Sequence, residues 1–317
     1  MLSRTASHLY WMARYIERAE TTSRLLEVGA RNALLPDIGG GFRNDWEAIL
    51  QSNGSLPAFK EKYGDPVQRN IETFLFFDSD NPSSVLSCLS AARENARVVR
   101  TALTSASWDA INGAYQELKQ FQRTERSKLM LTDLTEWTLR ATSLIRGSLD
   151  ATQLRNDGHH FMGVGFGIER GDNTARLLDV KYYVLLPNVT YVGSGLDQSQ
   201  WVTLLRSMSA HRSFNWIYPG ELTAAKIADF LIINRQFSRS LLSSVQQVSD
   251  SLDKLTDCYG RATPAQGKTR EFLFELAETS VEKIFDEGLH EFLTRFLLRN
   301  GDIAAAVQES YLEGMPL

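Results

Sequence analysis

Two segments of this chain repeat one another at a constant spacing. Residues 8–28 align with residues 160–180 at an offset of 152 positions. Within the block, Ile16-Glu17-Arg18 aligns with Ile168-Glu169-Arg170, and most other positions agree in identity or charge. This agreement indicates a duplicated helical unit of about 150 residues.

The match continues beyond the block with small insertions. Trp46 aligns with Trp201, and Tyr63 aligns with Tyr218. Aromatic residues repeated at fixed positions are explained most simply as buried packing anchors, so we expect all four in the core.

The repeat defines the expected organisation. Residues 1–153 form the first helical repeat and residues 154–317 form the second, packed as one globular unit. A solenoid usually needs three or more repeats, so we expect two halves related by a pseudo-two-fold axis. The halves are expected to join near Thr152 to Asp157.

Helix-boundary patterns dominate the chain, whereas the alternation typical of strands is almost absent. We therefore predict an all-α helical bundle of about ten or more helices. Predicted helix starts are marked by a capping residue, mostly beside proline, and one predicted helix end is marked by glycine. The starts are Asp65-Pro66, Asn81-Pro82, Asn156-Asp157 and Thr263-Pro264, and the end is Asn300-Gly301.

Composition excludes several functional classes. The formal charge is −4, from 34 basic and 38 acidic residues, which argues against nucleic-acid binding driven by bulk charge. No apolar run approaches the roughly 20 residues of a membrane span, and no signal-peptide pattern opens the chain. Two cysteines, Cys88 and Cys258, cannot form a multi-bridge framework. We expect a soluble, cytoplasmic protein without nucleic-acid or membrane partners.

The repeated helix carries a charged stripe beside an apolar one. Its charges recur at helical-neighbour spacing, with the same signs in both copies and arginine at every basic position. Because a guanidinium offers parallel hydrogen bonds to a carboxylate, this pattern indicates defined bonding. The stripe comprises Glu17, Glu20, Arg24 and Glu27 in the first copy, and Glu169, Asp172, Arg176 and Asp179 in the second. Arg18 and Arg170 complete the charged cluster.

Three interpretations of this cluster are open. It is an ion-pair network across the axis that specifies register, a ligand site for an anionic group or an amine, or a dinuclear metal site. His8 and His160 prompt the third. However, bundle metal sites use a Glu-x-x-His pair on one face, and His8 lies about 180° from Glu17. We therefore expect no metal and no cofactor, and assign no catalytic residue.

Glu17 and Glu169 adjoin the apolar stripe and are expected to be buried. A buried carboxylate needs a partner, and Arg24 and Arg176 are predicted to supply it. Arg18 and Arg170 lie about 100° around the helix from their neighbouring glutamates. They are expected to contact a third helix or the other half.

Two other patterns stand out. Arg93, Arg97 and Arg100 share one helical face and are not duplicated, which suggests either a docking surface for a phosphate or acidic partner or a solvated face. Gly163-Val164-Gly165 with Gly167 superficially resembles a phosphate loop. Because no strand-turn-helix pattern surrounds these glycines, close helix packing is the favoured interpretation.

Taken together, these motifs resemble the alpha-E family, known as a predicted α-helical domain with a Glu-Arg motif. The resemblance covers nearly the whole chain and is carried by residues 3–20, 81–85, 92–97 and 168–177. One departure is Ser83, where an arginine is usual. The second copy retains that arginine as Arg239.

Members of this family are encoded beside, or fused to, circularly permuted ATP-grasp ligases and transglutaminase-like proteins. The resemblance therefore implies a part in peptide or amide ligation, with these proteins as partners, and carries over no catalytic residue. The sequence contains no P-loop and no nucleophile elbow, so the ligase chemistry is expected to belong to the partner. The leading hypothesis is a non-catalytic accessory subunit. The alternative is an enzyme or ligand-binding protein that binds an anionic or amino-acid-like group on the Glu-Arg helices.

Overall fold

The computed structural model describes residues 1–35, 45–185 and 194–313. Within these ranges the chain forms fifteen α-helices and no β-strand, which confirms the all-α prediction. The helices before residue 153 are α1 Ser3–Asn32, α2 Asp45–Ser52, α3 Leu56–Tyr63, α4 Gln68–Phe76, α5 Val85–Val98, α6 Ser105–Arg123 and α7 Leu131–Thr152. Those after it are α8 Asp157–Leu185, α9 Gly195–Ser207, α10 His211–Ile217, α11 Ala224–Ala228, α12 Leu241–Tyr259, α13 Pro264–Ala277, α14 Val281–Glu287 and α15 Leu289–Val307.

The two runs of helices follow the same order. Long helices α1 and α8 open them, α5 corresponds to α12, and α7 corresponds to α15, while α14 is an addition in the second run. Ser84 and Ser240 cap α5 and α12 in the same way, each accepting a bond from the backbone N–H three residues on. Trp46 lies on α2 and Trp201 on the corresponding α9. This correspondence supports the duplicated organisation, which stays an interpretation.

Close packing of α8 against its neighbours depends on its glycines. A Cβ atom added at Gly165 would lie 2.5 Å from the carbonyl oxygen of Tyr10 on α1. One added at Gly167 would lie 2.9 Å from the carbonyl oxygen of Ser244 on α12. These glycines therefore allow the backbone of α8 to approach two helices, as the packing interpretation expects.

Replacing Gly165 by alanine should lower the free energy of unfolding by about 1–3 kcal/mol, because the new methyl group meets backbone that cannot rotate away. Gly301→Ala is the matched control, since nothing lies within 4 Å of a Cβ at that helical position. It should be neutral or stabilising by up to about 1 kcal/mol, through higher helix propensity. Urea denaturation of both variants tests this, and equal midpoints would refute the packing role.

The repeated aromatic residues are only partly as expected. Trp46 and Trp201 are buried, but Tyr63 and Tyr218 are half-buried. The Tyr63 hydroxyl donates to Asp78 Oδ2 at 3.1 Å, and the Tyr218 hydroxyl donates to the carboxylate of Asp229. A phenol with a polar partner near the surface keeps one end in water, so both tyrosines pack by their rings alone.

Three predicted boundaries are wrong. Asp65-Pro66 does not open α4, which begins at Gln68 after Val67 and has no side-chain cap. Asn300-Gly301 does not end a helix, because α15 runs through it and the buried Asn300 side chain donates to the carbonyl oxygen of Ile168 at 2.9 Å. Asn81 does not cap α5. Its Oδ1 instead accepts from the Ser83 backbone N–H at 3.0 Å, and the helix begins after Ser84.

Of the helices in the described ranges, none combines the length and apolarity needed to cross a bilayer.

Candidate functional site

The Glu-Arg pairs of α1 and α8 exchange partners between the two halves. Arg18 Nε donates to Glu169 Oε1 at 2.5 Å, and its Nη2 donates to Oε2 at 3.0 Å. Arg170 Nη2 donates to Glu17 Oε2 at 3.2 Å. Both arginines contact the opposite half, and Arg170 also contacts a third helix, because its Nη1 donates to Gln247 Oε1 on α12 at 3.0 Å.

Neighbouring polar contacts are matched within each half. Thr22 Oγ1 donates to the carbonyl oxygen of Ser83 at 2.9 Å, and Thr174 Oγ1 donates to that of Arg239 at 2.9 Å. Ser83 and Arg239 each precede the serine that caps α5 or α12. The two backbones therefore occupy corresponding places, and only the side chains differ.

The cluster around Glu17 and Glu20 is closed to solvent. Glu17 and Glu20 are fully buried. Arg239 Nη1 donates to Glu17 Oε1 at 2.8 Å, and its Nη2 bonds Glu20, so one guanidinium bridges both. Arg146 from α7 also bonds both carboxylates.

Arg24 and Arg176 do not bind Glu17 and Glu169, contrary to the prediction. Arg24 Nη2 donates to Glu20 Oε1 at 2.7 Å. Arg176 Nε donates to Asp172 Oδ2 at 2.6 Å. Each arginine takes the carboxylate four residues before it, because i and i+4 side chains are neighbours on a helix.

The buried carboxylates stay ionised. Burial alone would raise the pKa of Glu17, but the guanidinium groups of Arg170, Arg239 and Arg146 hold it well below its ordinary range. The pKa of Glu169 is likewise lowered against burial, by Arg14 and Arg18. Both groups are therefore permanent anions at neutral pH.

This ionisation predicts acid sensitivity. Glu17 and Glu169 have folded pKa values below the ordinary 4.5, so the unfolded chain binds more protons at low pH. Their stabilisation is present above about pH 4.5 and is lost as the pH falls toward the folded pKa. Urea midpoints between pH 7 and pH 3 should fall less steeply in Glu169→Gln than in the unsubstituted protein. Parallel curves would contradict this.

The corresponding cluster around Glu169 and Asp172 is partly exposed to solvent. Glu169 is buried against Arg14 and Arg18, whose Nε atoms lie 2.7 and 2.5 Å from its oxygens. Asp172 and Arg176 have side chains that are 25% and 31% exposed. Both belong to the wall of a cleft, whereas Glu17 and Arg24 do not.

The cleft has a volume of about 890 Å³ and lies among α1, α8, the turn before α3 and the loop before α5. The corresponding region of the second half, beside Arg239, holds only about 330 Å³. Besides Glu169, Asp172 and Arg176, the polar lining of the cleft comprises Arg14, Arg18, Thr21, Thr22, Asn53, Ser55, Glu61, Lys62, Asp78, Asp80, Asn81, Ser83 and Asn173.

Two hydroxyl groups in the cleft have unused bonding capacity. Thr21 Oγ1 and Ser55 Oγ are buried without a hydrogen-bond partner. Thr21 as a whole is 4% exposed. A buried polar atom without a partner is costly, so these hydroxyls favour a polar ligand in the cleft.

The comparison with known families fits this architecture. The Alpha-E family model, described as a predicted alpha-helical domain with a conserved ER motif, matches residues 1–312. The chain belongs to the Alpha-E family. No curated protein and no solved structure matches it significantly.

Glu27 and Asp179 lie outside the network of this Alpha-E protein, which corrects their assignment to it. Glu27 pairs with Arg31 on the surface, and Asp179 Oδ1 lies 2.6 Å from His290 Nδ1. Ten residues separate Glu27 from Glu17, which is about 15 Å along a helix. Glu27 and Asp179 therefore share a helix stripe with the central carboxylates but do not contact them.

The arginines of the suggested docking surface do lie together in the Alpha-E protein. Arg93 and Arg97 both bond Glu94, and Arg100 lies 4.8 Å from the ring centre of Trp108. Glu94 partly neutralises them. A docking role for this surface stays a prediction.

Three arginines of the Alpha-E network were missed from sequence, namely Arg14, Arg146 and Arg239. A signal existed for Arg239, because an arginine is usual at the position that Ser83 fills in the first half. For Arg146 the repeat supplied no signal. Across the described ranges, no cluster of three histidine, cysteine, aspartate or glutamate residues has metal-binding geometry.

Proposed function

We propose that this protein is a non-catalytic binding subunit of an ATP-grasp peptide or amide ligation system, and that the cleft holds one of the reactants. The observation that carries the proposal is the asymmetry between the halves. One Glu-Arg cluster is closed by Arg239, whereas the other borders a polar cleft of about 890 Å³. A cavity of this size is typical for small-molecule ligands.

The state of the cleft groups supports binding rather than bond-making. Glu169, Asp172 and Lys62 each lie in ion pairs, which fixes their positions before a ligand arrives. Cys88 on neighbouring α5 is buried, and burial raises its pKa to about 12. Its thiol is therefore protonated at neutral pH and is a poor nucleophile.

The partner assignment comes from the family resemblance. A ligase of the ATP-grasp class binds ATP and forms the amide bond. The binding subunit binds and orients one reactant. Orientation alone contributes substantially to rate, since positioning converts an encounter between reactants into an intramolecular step. The Arg93, Arg97 and Arg100 surface is our proposed contact with the ligase.

The decisive experiment is reconstitution with a circularly permuted ATP-grasp ligase from the same organism. We expect the two proteins to co-purify and ADP release by the ligase to rise when both are present. Arg97→Glu should weaken the association, whereas Arg140→Glu, on another exposed helix face and equally paired to a glutamate, should leave it unchanged. Absence of association, together with unchanged ligase activity, would refute the proposal.

The alternative is an Alpha-E enzyme that acts on the cleft ligand itself. It is favoured by one observation, the partial exposure of Asp172 and Arg176 at the cleft wall. Turnover of a cleft ligand by the isolated protein, abolished in Asp172→Asn, would replace the subunit proposal with this one.

A further inference from the structure

The two halves differ at several positions that face the charged clusters: Arg14, which bonds Glu169, aligns with Phe166, and Ser83 aligns with Arg239. Arg239 precedes the capping serine of α12 and bonds both Glu17 and Glu20. Its counterpart Ser83 precedes the capping serine of α5 and lines the cleft beside Glu169 and Asp172. A serine side chain is too short to make the bridge that an arginine makes.

The carboxylates facing Ser83 have fewer partners than their counterparts. Glu20 is bonded by Arg24, Arg146 and Arg239, and also by Thr142. Asp172, which aligns with Glu20, is bonded by Arg176 alone among the described ion pairs. An ionised carboxylate accepts about four hydrogen bonds, and Arg176 supplies two to Asp172.

The lining of the cleft carries a small acidic excess. It contains five carboxylates and four cationic side chains. Of the two carboxylates in the Glu-Arg cluster beside the cleft, Asp172 is the one that combines solvent access with spare acceptor capacity, because Glu169 is buried. The buried hydroxyls of Thr21 and Ser55 add acceptors for N–H groups in the same cleft.

From these observations we infer that the cleft binds a guanidinium group, which bonds Asp172 in the place that corresponds to the Arg239 side chain in the other half. The inference rests on the proposed binding role and specifies its ligand class. Its source is either a small molecule such as agmatine or an arginine side chain of a peptide. A planar guanidinium fits because its parallel N–H groups match the two oxygens of a carboxylate.

Isothermal titration calorimetry of the full chain tests the inference. The probes are agmatine, L-arginine and a short arginine-containing peptide, each with a neutral ureido counterpart such as citrulline. We expect at least one guanidinium probe to bind and its neutral counterpart to bind at least about tenfold more weakly. Binding of agmatine or arginine indicates a small-molecule ligand, and binding of the peptide alone indicates an arginine side chain. Failure of all three probes overturns the inference.

Three variants locate the site. Ser83→Arg should fill the cleft with its own guanidinium, abolish probe binding and leave the melting temperature unchanged or raised. Asp172→Asn should weaken binding at least about tenfold while circular dichroism shows an intact fold. Ser105→Arg makes the same change at an exposed helix position on α6 and should bind like the unsubstituted protein. Full binding by Ser83→Arg would overturn the inference.

This result is separable from the ligase experiment. Titration requires no partner, so guanidinium binding can be established even where association with the ligase fails. Conversely, a protein that stimulates the ligase but binds no guanidinium probe retains the proposed function and loses the inferred ligand.

Discussion

Replacing Glu17 by alanine should lower the free energy of unfolding by about 3–5 kcal/mol, because it leaves buried charges without their partner. Glu17 is fully buried and receives bonds from Arg146, Arg170 and Arg239. Without the carboxylate, these guanidinium groups repel one another in a poorly solvated site. Chemical denaturation with urea gives the measurement.

Glu136→Ala is the matched control for Glu17→Ala. Glu136 is also a helical glutamate, but its side chain is 70% exposed and lies 3.5 Å from Arg140. Surface pairs of this kind contribute little, so the change should stay within about 0.5 kcal/mol. An unchanged stability in Glu17→Ala, combined with loss of ligase stimulation, would show that Glu17 serves function rather than fold.

Arg239→Ser should destabilise the protein by about 3 kcal/mol, since two charge-assisted hydrogen bonds are lost at roughly 1.5–3 kcal/mol each while other arginines remain. The substitution places in the second half the residue that the first half carries as Ser83. Arg235→Ser is the control, because Arg235 is exposed in the same loop. Equal urea midpoints for the two variants would refute the bridging role of Arg239.

Helix starts were predictable from sequence where the capping interaction lies within a few residues. Thr263 caps α13 and Pro264 opens it, and α8 begins at Asp157. In both cases the capping side chain and its backbone partner lie within a few residues, so sequence alone contains the whole interaction. The burial of Glu17 and Glu169 was predictable for a similar reason, because each adjoins an apolar stripe on its own helix.

The rest depended on contacts between distant segments. Arg146 reaches Glu17 from α7, across 129 positions of sequence. No periodicity within one helix reports such a contact. Asn300 shows the same limit, because a bond to α8 overrides a local helix-ending pattern. The cleft itself required the structure, because its walls come from segments that lie far apart in the sequence.

The exchange of Arg18 and Arg170 has a consequence for the origin of this architecture. Each helix donates its arginine to the glutamate of the other, so the arrangement is self-complementary. A single unit carrying one Glu-Arg helix would satisfy both charges by pairing with an identical copy, as in an isologous homodimer. Under the duplication interpretation, joining the two units in one gene frees them from that identity. One copy can then keep an arginine that closes its cluster, while the other carries Ser83 beside an open cleft.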